Sequence, residues 1–171
     1  MAPNTIELKI KRQDAPDAPP RWEEFSIPYR PKMNVISALM EVRRHPYTAQ
    51  GKKTTPPVWD ANCLEEVCGA CSMVINGQVR QSCSALIDDL LTETKGEAIV
   101  LEPMSKFPVV RDLFVDRSRM FELLKRTKSW VPIDGTHDLG LGPRELPAQQ
   151  ETRSYYTRKQ QGKDLFCEHP R

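Results

Sequence analysis

Cys63, Cys68, Cys71 and Cys83 are set at C-x4-C-x2-C-x11-C in the text Cys63-Leu-Glu-Glu-Val-Cys68-Gly-Ala-Cys71-Ser-Met-Val-Ile-Asn-Gly-Gln-Val-Arg-Gln-Ser-Cys83. Three thiols share one tight loop, and the fourth returns after a hairpin. A rhomb of two irons and two bridging sulfides needs four thiolates arranged in this way, so the chemistry implied is one-electron transfer at a [2Fe–2S] cluster. A reduced cluster is negatively charged and needs compensating N–H groups. Gly69 and Ala70 are small enough to let backbone amides approach the sulfurs. Ser72 and Ser82 adjoin ligand positions and are candidate further donors.

Three plainer readings compete. A structural zinc ion usually takes two C-x2-C-type pairs from two knuckles, whereas here the close ligands come as three and then one. Simple buried thiols would not need this spacing. A thioredoxin-like pair belongs at a helix N-terminus after a strand and leaves two cysteines unexplained. Cys167 stands apart near His169 with nothing to complete a site, and reads as a free exposed thiol. Glu65 and Glu66 read as solvated loop charges, and His45 and His137 have no suggested catalytic partner. No nucleophile–base set, phosphate loop or dinucleotide fingerprint is visible, so a cofactor must carry the chemistry.

The elements that position the cysteines follow from periodicity. Ile6, Leu8 and Ile10 alternate as a half-buried strand should, and Trp22, Phe25, Ile27 and Tyr29 form a second run. The Pro-rich residues 14–20 connect them. Asn34 is placed to cap a helix carrying Val35, Ile36, Leu39, Met40 and Val42, with Arg43 and Arg44 in its last turn and Pro46 beyond. A polar loop leads to a predicted short strand at Val58–Asp60. Asn76-Gly77 between apolar runs predicts a hairpin, because a type I′ turn needs positive φ at both central residues. That hairpin can deliver Cys83 to the other three cysteines. Ala98 to Leu101 supplies a last strand, and from Asp112 onward the period becomes helical. There Leu113, Met120, Phe121, Leu123 and Leu124 predict an amphipathic helix capped near Asp116 and closed by Trp130 to Pro132.

The fold class predicted is α+β: a β-grasp, ferredoxin-like domain over residues 1–106, a connecting helical segment over 107–135, and an irregular, disordered tail over 136–171. The chain has 171 residues, 15 of them proline, and a formal charge of +2 with acids and bases nearly balanced. That balance offers no electrostatic footprint for nucleic acid. No apolar run approaches a membrane span, and no secretory signal is visible at the N-terminus. Crowded thiols with an odd cysteine over suit a cytoplasmic metalloprotein better than a disulfide scaffold.

The wider text resembles the iron–sulfur subunit of succinate dehydrogenase and fumarate reductase complexes, especially the menaquinone-linked bacterial type. The likeness rests on Arg30-Pro-Lys-Met-Asn-Val-Ile-Ser-Ala-Leu-Met40, on Trp59-Asp-Ala-Asn-Cys63 and the cysteine loop, and on Arg80-Gln-Ser-Cys83. Phe107-Pro-Val-Val-Arg-Asp-Leu113 and Val115-Asp-Arg-Ser-Arg-Met-Phe121 extend it, so that it covers about residues 5 to 143. The resemblance implies that Cys63, Cys68, Cys71 and Cys83 hold the [2Fe–2S] cluster. It implies single electrons arriving from the FAD of a flavoprotein subunit and passing towards quinone at a cytochrome b-type membrane anchor, with the complex on the cytoplasmic face of the membrane.

In that family a second domain opens with C-x2-C-x2-C-x3-C-Pro and carries [4Fe–4S] and [3Fe–4S] clusters. Here that text is absent after residue 145, so the expectation is a truncated chain holding the first cluster alone, with the anchor engaged only if the second domain is supplied. A molybdenum hydroxylase subunit shares the first cysteine motif but adds C-G-x-C and C-x-C, which are missing here. A stand-alone ferredoxin is usually markedly acidic, unlike this chain.

Overall fold

The computed structural model describes residues 4–127, and these fall into two compact units that divide between Asp116 and Arg117. Trp130 to Pro132, His137, Cys167 and the 136–171 segment lie outside the described residues.

In the first unit, β1 (Thr5–Arg12) and β2 (Arg21–Pro28) form an antiparallel hairpin, and α1 (Val35–Arg44) follows. The strands β3 (Ser72–Ile75) and β4 (Gln78–Gln81), a short α2 (Ile87–Glu93) and β5 (Ile99–Glu102) complete the sheet. The strand order is β2-β1-β5-β3-β4, with β5 parallel to β1 and antiparallel to β3. This is the β-grasp arrangement expected, and the α+β class holds.

Strand alternation buries Ile6, Leu8 and Ile10 of β1 with Phe25 and Ile27 of β2 on one face. Val35, Ala38, Leu39 and Val42 of α1 cover that face, joined by Met73, Ile75, Ile87, Leu90, Ile99 and Leu101. Asn34 caps α1 as predicted: its Oδ1 accepts from the Ser37 N–H at 2.8 Å. The Asn76-Gly77 turn has φ of 50° and 79°, the left-handed pair that a type I′ hairpin demands.

Two features differ from the sequence reading. Val58–Asp60 is not a strand. Its backbone is held instead by side-chain and loop partners: the Val58 N–H donates to Asp112 Oδ2 at 3.0 Å, and the Val58 carbonyl accepts from Leu113 N–H at 3.0 Å. Asp112 and Leu113 are not helical either. They form the turn of a small hairpin, β6 (Val109–Arg111) and β7 (Phe114–Val115), and Leu113 and Val115 are buried. Leu113 therefore belongs to the core of the first unit and not to an amphipathic helix. The helix itself, α3 (Ser118–Thr127), lies in the second unit; Met120, Phe121, Leu123 and Leu124 are all exposed.

The end of β1 carries a buried ion pair. Arg12 and Asp112 are both fully inaccessible; Arg12 Nε and Nη2 donate to the two Asp112 carboxylate oxygens at 2.9 and 3.2 Å. Arg12 also bonds Glu23 and the carbonyl of Thr55, and Asp112 takes the N–H of Gln13 at 3.0 Å. The pair thus ties β1, the loop entering the cysteine segment and the β6–β7 turn together. Each charge is satisfied, as burial requires.

Candidate metal centre

The loop that carries Cys63, Cys68 and Cys71 owes its shape to left-handed residues. Leu64, Glu66 and Gly69 have φ of 61°, 60° and 70°. Only glycine takes that conformation without steric cost, so two bulky residues are held there at roughly 1–2 kcal/mol each. The bends turn amide N–H groups inward onto sulfur. The N–H groups of Glu65 and Cys68 reach Cys63 Sγ at 3.4 and 3.3 Å, and those of Cys63 and Ala70 reach Cys68 Sγ at 3.5 and 3.4 Å. Ala70 thus does what its small size suggested.

The fourth cysteine arrives through the hairpin. Ser72 pairs with Gln81 at the open end of β3–β4, and the Ser82 N–H continues the ladder to the Cys71 carbonyl at 3.3 Å. Cys71 and Cys83 therefore come side by side, both buried, and interact through their side chains. The Ser82 hydroxyl is buried and donates to the Cys71 carbonyl at 2.9 Å, so it fastens the hairpin to the loop. Ser72 opens β3, half-buried. Glu65 and Glu66 are exposed, as solvated loop charges should be.

Asn34 has a second task that its capping role concealed. Its Nδ2 donates to the Cys83 carbonyl at 2.8 Å, linking the start of α1 to the fourth thiol. The Ile87 N–H donates to Met33 O and the Val35 N–H to Ala85 O, so the starts of α1 and α2 clamp the turn that contains Cys83. Only the possibility of a cap was legible at Asn34, because its reach to Cys83 spans 49 residues.

The donor set can be tested against the cluster that the spacing implies. Among the described residues no three His, Cys, Asp or Glu side chains gather as they would around a single metal ion. The thiols stand instead as two pairs, Cys63 with Cys68 and Cys71 with Cys83, each in side-chain contact. Two pairs are what a rhomb with one iron at either end takes.

The two pairs differ electrostatically. Amide N–H groups of Glu65, then Cys68 and Val67, favour the thiolate of Cys63 and lower its pKa to about 7. Burial pushes the Cys71 thiol upward, so its charge must come with a compensating cation. Inward amides on the outer pair and a desolvated inner pair both fit an iron–sulfur centre.

Comparison with known proteins agrees. The family model described as a 2Fe-2S iron-sulfur cluster binding domain matches residues 7–122. The succinate dehydrogenase iron-sulfur subunit of Bacillus subtilis (strain 168) is 62% identical over 151 residues, which are 88% of this chain and 57% of that protein. The fumarate reductase iron-sulfur subunit of Wolinella succinogenes is 28% identical over 139 residues, 78% of this chain and 53% of that one. The chain thus spans a little over half the length of these curated relatives. Among solved structures, a chain of the Mycobacterium smegmatis Sdh1 complex in the apo form shares the fold, with a TM-score of 0.61 at 20% identity over 92% of this chain and 63% of that one. The chain belongs to the family of 2Fe-2S iron-sulfur cluster binding domains, in the company of the iron–sulfur subunits of succinate dehydrogenase and fumarate reductase.

Proposed function

We propose that this chain is the electron-transfer iron–sulfur subunit of a succinate dehydrogenase or fumarate reductase complex, with Cys63, Cys68, Cys71 and Cys83 as ligands of one [2Fe–2S] cluster. The observation that supports the reading is the standing of the four cysteines as two side-chain pairs, Cys63 with Cys68 and Cys71 with Cys83, with backbone amides turned onto the sulfurs of the outer pair. When bound, such a cluster supplies a one-electron carrier. The chain's own contribution is to hold the sulfurs, to supply their N–H donors and to keep the inner pair dry.

The partners suggested by the named relatives are a flavoprotein subunit, with FAD as the source of single electrons, and a cytochrome b-type membrane anchor. On this reading residues 1–106 form the cluster domain, 107–135 connect it onward, and the protein is peripheral on the cytoplasmic face of the membrane within the tricarboxylic acid cycle. No helix among the described residues is long and apolar enough to cross a membrane. The relatives' identity weighs against a molybdenum hydroxylase subunit and a stand-alone ferredoxin.

The test is reduction by substrate through a partner. Mixed with a succinate dehydrogenase flavoprotein subunit, the reconstituted chain should lose visible absorbance on addition of succinate. A centre that dithionite reduces but succinate with flavoprotein does not would refute the assigned role.

A further inference from the structure

Gln81 joins the two segments that carry the cysteine pairs. Its backbone carbonyl accepts from the Ser84 and Ala85 N–H groups at 3.3 and 3.2 Å and from the Ser84 hydroxyl at 3.2 Å, closing the turn that contains Cys83. Its side chain reaches the other way, where Nε2 donates to the Glu66 carbonyl at 3.2 Å in the cysteine loop. The Oε1 atom of the same amide is enclosed and has no hydrogen-bond partner among the described residues. An acceptor buried without a donor is destabilising, so the bond at the Nε2 end is what this amide is placed to make.

Peptide geometry says what that bond fixes. Glu66 has φ of 60°, and the peptide joining it to Val67 is planar and trans, so its C=O and N–H point in opposite directions. Holding the Glu66 oxygen on Gln81 turns the Val67 N–H back into the loop, where it is among the amides that favour the Cys63 thiolate. The next amide, that of Cys68, donates to Cys63 Sγ at 3.3 Å. A donor on the carbonyl also polarises the N–H at the far end of the same peptide.

We propose that Gln81 is a positioning residue for the electron carrier, which sets the potential of the centre by holding the Glu66 carbonyl and so keeping the Val67 and Cys68 amides on Cys63 Sγ. The inference rests on the ligand assignment above and adds a residue outside the four ligands. N–H groups aimed at the sulfurs favour the reduced, more negative form and raise the potential. Loss of the Gln81 bond lowers it.

The test compares reconstituted full chains carrying Gln81→Leu or Gln78→Leu, the second an equal chemical change at the exposed other end of β4. In a redox titration followed by electron resonance, Gln81→Leu should cut the reduced-to-oxidised ratio at the parent's midpoint at least threefold, about 28 mV at about 59 mV per tenfold for one electron. Gln81→Asn keeps an amide but is one methylene short of Glu66, and should shift the midpoint in the same sense. Gln78→Leu should leave it where it was. With isotope-labelled valine incorporated, the coupling of a valine nitrogen to the reduced centre in pulsed electron resonance should weaken in Gln81→Leu. The denaturation midpoint of the cluster-free chain should stay within error of the parent, because the variant removes an unpaired buried acceptor together with the bond. An unchanged potential in both Gln81 variants, or an equal shift in Gln78→Leu, overturns the proposal. Failure of the parent chain to take up iron and sulfide is a different result, which refutes the ligand assignment. Amide hydrogen exchange at Val67 and Cys68 in the cluster-free chain then still decides the role of Gln81: it should be at least about threefold faster in Gln81→Leu, and equal rates overturn the proposal.

Discussion

At the scale of single residues, the position of Asn34 is the most economical feature of the site. One side chain ends the backbone debt of α1 and holds the Cys83 carbonyl, with 2.8 Å bonds from either end of its amide. The two roles can be separated by chemistry. Asn34→Ala loses both, and thermal unfolding of the cluster-free chain should show a loss of about 2 kcal/mol, one from the cap and one from the bond to Cys83. Asn34→Asp keeps an excellent cap but has no N–H to offer Cys83. It should lose only about 1 kcal/mol, the share of the Cys83 bond, yet release iron to a chelator faster than the parent chain. Equal release rates would show that the Cys83 contact is incidental. The same scale explains one thing the sequence hides. Ser82 beside Cys83 looks like a donor to sulfur, but its hydroxyl is taken by the Cys71 carbonyl, an acceptor 11 residues away that no spacing rule discloses.

At the scale of elements, the Arg12–Asp112 pair joins segments that the chain separates by 100 residues. Replacing Asp112 with Asn leaves a buried guanidinium short of one counter-charge. The expected cost is about 3 kcal/mol in chemical denaturation. A cost below about 0.5 kcal/mol, the range of ordinary surface substitutions, would show that Glu23 alone satisfies Arg12. Long periodic elements were legible from residues alone. The Ile6/Leu8/Ile10 alternation, the Asn34-capped helix and the Asn76-Gly77 turn each carry a local physical signal that survives in the fold. Short or long-range features were not. The helix α2 has seven residues and no side-chain cap at Leu86, too little for a 3.6-residue period to stand out. The hairpin β6–β7 has strands of three and two residues, and its turn relies on a left-handed Asp112 (φ 49°) that only tertiary bonds disclose. Val58 to Asp60 read as a short strand, yet the Val58 backbone finds its partners in the Asp112 carboxylate and the Leu113 N–H. Nothing local marks Arg12, because its complete burial depends on partners 11, 43 and 100 residues away.

At the scale of the whole molecule, the candidate site was more legible than the fold around it. The proposed donor set rests on four cysteine positions alone, because thiolate spacing is itself the chemical constraint. The pairing into an outer and an inner couple needed the fold, since it depends on the hairpin register that brings Cys83 beside Cys71. The central claim is that these four thiols hold one two-iron cluster, and reconstitution of the full chain with iron and sulfide tests it most directly. The account predicts about two irons and two sulfides per chain, and a rhombic electron-resonance signal on reduction by one electron. Replacing Cys68 or Cys83 with Ser should weaken or shift that signal, whereas Cys167→Ser should leave it unchanged. Stoichiometric, tight zinc binding with no visible absorption, or an iron signal indifferent to Cys83→Ser, would contradict it.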